Sequence, residues 1–206
     1  MADKLDKQTR QLAAMTYGEA SSANDAEEMS AIASVLIRQR DARGYKDMAT
    51  FAAKEPSFSF VVSDGNARYA KLMNASEKDI DKHAGMKAAV QAALNALNGG
   101  PDKSNGAYFW DGADIKSNYQ HHFKVRHGIK FSEPAHNIYG IAESTKIGIV
   151  YKNTKTKNAK TGKIIMNREE IGRYDHIYDS TAALGGTIFW KFNQHYLDVT
   201  HARNYK

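Results

Sequence analysis

The sequence has no cysteine. That excludes disulfides, thiolate nucleophiles and Cys-ligated metal, and leaves the chain indifferent to an oxidising compartment. It also lacks any apolar run approaching the length of a membrane span, and its first residues, "MADKLDKQTRQLAAM", contain no apolar segment of signal-peptide length. The expectation is a protein made in the cytoplasm without membrane insertion, so that action outside the cell would need another carrier. No internal repeat is visible, and the single biased tract is the turn-like "TKTKNAKTGK".

What is present bounds the answer further. With 206 residues, 42% of them apolar, the chain is long enough for one substantial core and short for two, so residues 1–206 are read as a single folded domain. A formal charge of +6 favours polyanionic partners without choosing among nucleic acid, acidic lipid, cell-wall polymer and an acidic protein.

Apolar residues recur at helical spacing at Leu12, Met15 and Thr16, again at Met29, Ile32, Ala33 and Leu36, and again at Met86, Ala89, Val90, Ala93 and Leu97. The last stripe ends at Gly99, Gly100 and Pro101. Beyond about residue 138 the texture changes to short β-like runs, "KIGIVYKN", "KIIMN", "YDHIYDS" and "GGTIFWKFN", separated by turn signals. The fold class expected is α+β, with a helical N-terminal half and a small antiparallel β-sheet in the C-terminal half.

Four acids open the stretch "GEASSANDAEEM". Asn24 with Glu27 has the form of a capping box, and Asp25, Glu27 and Glu28 fill the first helical turn, where the macrodipole favours negative charge. Glu19 has no such explanation, because it ends the face formed by positions 12, 15 and 16. A carboxylate at the end of a buried stripe loses water, which raises its pKa toward the range a general acid needs. An outward-turned residue at a fraying helix end is the competing explanation.

Several blocks then carry a resemblance. "LAAMTYGEA", "AIASVLIRQR", "PSFSFVVSDG", "AALNALNGGPDKSNGAYF" and "GGTIFWK" are similar, in order and spacing, to the SleB-type cell wall hydrolases, over about residues 12–192. The segment following "GAYF" resembles the versions of this domain in phage lysins and type VI secretion antibacterial effectors. The resemblance implies a lysozyme-like cleft and cleavage of peptidoglycan between N-acetylmuramic acid and N-acetylglucosamine, by a lytic transglycosylase or a muramidase, without cofactor or metal. It implies delivery as a toxin that acts in the periplasm of a target cell, with an acidic immunity protein as a second partner and no nucleic acid.

By the same resemblance Glu19 stands at the family's catalytic glutamate. The family commonly reads Glu-Ala-Arg-Gly-Glu there, whereas this chain places Ala23 at the second glutamate, which suits a single-acid route. Ser59, Asn105, Tyr108 and Trp110 are the substrate-binding candidates, and Asp111 and Asp114 the candidates for a second carboxylate if the reaction is hydrolysis. Ordinary turn and strand roles compete at each. His121, His122, His127 and His136 lack the i, i+4 helical pair of zinc hydrolases. A non-catalytic wall-binding module and a basic nuclease toxin are the alternative functions.

Overall fold

The computed structural model describes residues 5–205, with the side chains of Ser59 and Phe60 outside the described set. Helix α1 (Lys7–Glu19) starts where the Asp6 carboxylate accepts the backbone N–H groups of Gln8 and Thr9, and its stripe of Leu12, Met15 and Thr16 is fully buried. Helix α2 (Ala26–Ala42) and the later α7 (Ala84–Leu97) pack on it and on each other through Met29, Ile32, Leu36, Met86, Ala89 and Ala93. Between them the chain winds through shorter helices: α3 (Met48–Lys54), α4 (Ser59–Val62), α5 (Ala67–Asn74) and α6 (Glu77–Lys82). Small residues permit the closeness: a Cβ on Gly18 would lie 2.9 Å from Val61 Cγ1 and 3.2 Å from Tyr69 Cβ.

The remaining elements are β1 (Phe109–Asp111), α8 (Asp114–Ser117), α9 (Phe123–His127), β2 (Ile129–Lys130), β3 (Gly148–Lys157), β4 (Ile164–Tyr174), β5 (Tyr178–Leu184), β6 (Thr187–Phe192) and α10 (Gln194–Thr200). They form a four-stranded sheet in the order β1-β6-β5-β2 and a separate two-stranded ribbon of β3 and β4. The α+β class and the division into a helical first half and a strand-bearing second half are as expected. Pairing is antiparallel except for the short parallel contact of β2 with β5.

Strand β6 shows how the sheet joins two cores. Side chains alternate across a strand, so Phe189 enters the helical core while Ile188, Trp190 and Phe192 enter a second cluster with Ile115, Val125, Ile129 and Tyr178. The neighbouring β1 repeats the pattern in register, Trp110 beside Phe189 and Phe109 beside Trp190. Trp110 thereby faces the helical body, toward the end of α1.

One expectation needs correction. Asn24 does not cap α2: its backbone has φ 56° and its side chain accepts from Arg68, while Asp25 caps the helix by accepting the Glu28 N–H at 2.8 Å. Asn tolerates this left-handed conformation better than most residues, and one residue of shift moves the cap to Asp25. Glu28 sits in the first turn as expected, and its side chain is fully buried.

Candidate functional site

Glu19 is the last residue of α1 and lies half-buried where two cavities meet. The first, about 310 Å³, is lined by Glu19, Gln39, Phe58, Phe109, Trp110 and Lys124, among others. The second, about 420 Å³, is lined by Glu19, Trp110, Asp111, Gly112, Asp114 and Thr187. The acid therefore stands in the middle of a cleft between the helical body and the edge of the sheet.

Burial pushes the Glu19 carboxyl up to about 7, and the Trp110 indole, donating from Nε1 to Oε2 at 3.3 Å, offsets part of that rise. The helix end acts in the same direction as burial, since the C-terminal end of the macrodipole opposes a negative charge. Trp110 is held in turn against Phe58, the rings stacked with centroids 6.0 Å apart. One aromatic side chain thus orients the acid and supplies an apolar wall to both cavities.

Asp111 and Asp114 reach the second cavity from the other direction. Asp111 Oδ1 accepts from Lys124 Nζ at 2.8 Å and lies 3.3 Å from His122 Nε2, which is 3.5 Å from Asp114 Oδ2. These bonds, the one to Asp111 first, push the His122 imidazole up to about 9, and the imidazolium holds Asp114 below the usual carboxylate range. Asp111 Oδ2 is buried without a hydrogen-bond partner.

Asp111, Asp114 and His122 also bring one donor atom each within 4.8 Å of one another, a spacing that a metal ion could use. The chemistry of the set argues for a charge network instead. His122 Nε2 directs a proton at both carboxylates, and an incoming cation would meet the Lys124 ammonium on the same oxygen.

Of the substrate-binding candidates, the structure brings Trp110 to Glu19. Tyr108 lines a different cavity with Arg38 and Asp102, its ring facing the Arg38 guanidinium at 5.6 Å. Asn105 is an exposed turn residue with φ 51° whose amide donates to the Thr181 carbonyl at 3.0 Å. The Ser59 side chain lies outside the described residues. The histidines diverge: His122 joins the network, His136 Nδ1 meets Ser180 Oγ at 2.8 Å, His127 Nδ1 meets the Phe123 carbonyl at 2.7 Å, and His121 is exposed.

Three residues escape the sequence reading. Gln39 is 5% exposed, its amide N–H donates to the Tyr108 carbonyl, and its buried Oε1 has no partner among the described residues, while its side chain lines the first cavity. Glu28 accepts from Ser21 N at 3.2 Å and Ser21 Oγ at 2.6 Å through one oxygen, and from Gly186 N at 3.2 Å and Thr187 Oγ1 at 2.6 Å through the other. It ties the loop just after Glu19 to the β5–β6 turn, where a Cβ on Gly185 would come within 2.7 Å of it. Both residues share the helical stripe of Ile32, Val35 and Leu36, a spacing that marks buried polar groups. Lys124, the third, has no such signal.

Comparison of the chain with protein-family models, with curated proteins and with solved structures found no match. The site is therefore described by its own geometry.

Proposed function

We propose that this protein cleaves the glycan strands of peptidoglycan with Glu19 as the general acid. The observation that carries the reading is one carboxyl, raised to about 7 by burial, at the meeting point of two cavities and oriented by an indole N–H. A glycosidic bond needs a proton on its leaving oxygen, and an acid with a pKa near the working pH supplies it best.

In the single-acid route Glu19 gives its proton to the glycosidic oxygen as the C1–O bond breaks. The sugar's own 6-hydroxyl then bonds to C1, its proton returns to the Glu19 carboxylate, and a 1,6-anhydro end forms. Ala23, in place of a second glutamate, suits this route. Trp110 offers a surface for the apolar face of a sugar ring.

Asp111 favours a second reading, hydrolysis, because its unpartnered Oδ2 belongs to a carboxylate on the same cavity as Glu19. Digestion of purified sacculi decides between the two: mass spectrometry shows anhydro ends from a transglycosylase and reducing ends from a hydrolase. Sacculi bound but left intact would make the chain a wall-binding module. Glu19→Gln is expected to lower release by at least about 10³-fold, with an unchanged circular dichroism spectrum. The resemblance to the effector versions of the domain supports delivery into the periplasm of a target cell.

A further inference from the structure

Strands β3 and β4 form a ribbon that packs on no third layer over most of its length. Every residue at positions 152–171 is exposed. At roughly 3.3 Å per residue, a strand of this length reaches on the order of 30 Å. Only its base is anchored, where Gly172 lies against Val199 of α10.

Most of the protein's excess positive charge resides on this arm. Between positions 152 and 168 stand Lys152, Lys155, Lys157, Lys160, Lys163 and Arg168, with no acidic residue. Glu169 and Glu170 follow toward the base, so the exposed stretch nets +4 of the formal +6. The tip is also apolar: Ile164, Ile165 and Met166 are 62%, 45% and 58% exposed.

The register decides how that apolar surface is arranged. Lys157 pairs with Ile164 and Lys155 with Met166, so those four share one face, along which Arg168 lies over the Tyr151 ring at 3.6 Å. Ile165 pairs with Thr156 on the opposite face. A folded partner seated on one face would leave the other face's isoleucine in water. A medium that surrounds the tip covers both faces at once, and the lysines flanking it require that medium's surface to be anionic.

We propose that the ribbon tip docks on an anionic lipid bilayer, seating Ile164, Ile165 and Met166 among the headgroups while the lysines neutralise lipid phosphates. The contact is interfacial: among the described residues no helix is long and apolar enough to cross a membrane. It is also separate from the Glu19 cleft, whose lining residues all lie outside the ribbon.

The test is co-sedimentation of the full chain with vesicles of phosphatidylcholine alone or containing about a third phosphatidylglycerol, at low and physiological salt. Binding is expected only to the anionic vesicles, weakening as salt rises. Lys155→Glu/Lys157→Glu/Lys160→Glu and, separately, Ile164→Ser/Ile165→Ser/Met166→Ser should each lower it by at least about tenfold. Both changes lie on exposed positions, and an unchanged circular dichroism spectrum will verify the fold. No binding to anionic vesicles, or binding that both variants retain, overturns the proposal. So does loss in the lysine variant alone accompanied by equal affinity for a soluble polyanion, which would make the arm a nucleic-acid or acidic-protein contact.

Discussion

Within one short stretch Glu28 is fully buried and Glu19 half-buried, and their surroundings divide their roles. Glu28 has four donors on its two oxygens, whereas among the described residues Glu19 has the Trp110 indole alone. A carboxyl whose pKa is raised on folding contributes stability that is fully present below its ordinary value of 4.5 and lost as pH rises through about 7. Glu19→Gln removes that loss. The variant should match the parent in thermal stability at pH 4 and exceed it at pH 8 by roughly 2 kcal/mol, or about 5 °C; equal stability at both pH values would mean that Glu19 is solvated. In the proposed mechanism the same protonation governs turnover, so activity on sacculi should fall about tenfold per pH unit above 7. Gln39→Leu removes the N–H that the Tyr108 carbonyl accepts just before β1, and should lower stability by about 1–2 kcal/mol in urea denaturation. Glu19 was legible in the sequence because it broke an apolar face. Gln39 and Glu28 were legible in principle, but a helix stripe reveals burial only when polar members are counted with apolar ones. Asn105 and Tyr108 were drawn in by a motif, but Tyr108 lies just before β1 and its ring turns to the Arg38 side of α2.

At the level of elements, α2 bridges the two halves of the fold. Its Glu28 binds the β5–β6 turn, and its Gln39 binds the backbone of Tyr108 just before β1. Replacing Glu28 with Ala leaves the Ser21 and Gly186 N–H groups and two hydroxyls without their acceptor, at a cost of about 3 kcal/mol. Urea denaturation should show that loss. Because the same bonds place Thr187 on the second cavity, Glu28→Ala should also weaken catalysis in the protein that remains folded. The main helices announced themselves by period. The ribbon strands were read as short, since exposed β3 and β4 lack the alternation that a buried face imposes, and β2 is only two residues long and paired in parallel, which no local pattern signals.

In the whole molecule, two properties that composition mixes are separated in space. The cleft belongs to a body with nearly balanced charge, and most of the excess positive charge projects on the arm. Replacing residues 152–170 with a tight Asn-Gly turn should leave soluble-fragment cleavage unchanged while abolishing the salt-sensitive retention on anionic surfaces, because no cleft residue lies in the deleted segment.

The Glu28 tie also has a consequence in time. Its acceptor oxygens reach Gly186 and Thr187 across 158 and 159 positions of chain, and β6 supplies the partner against which Trp110 is set. Glu19 precedes β6 along the chain, so during synthesis the cleft around it cannot close until β6 has left the ribosome. A chain halted before β6 holds the acid without its cleft.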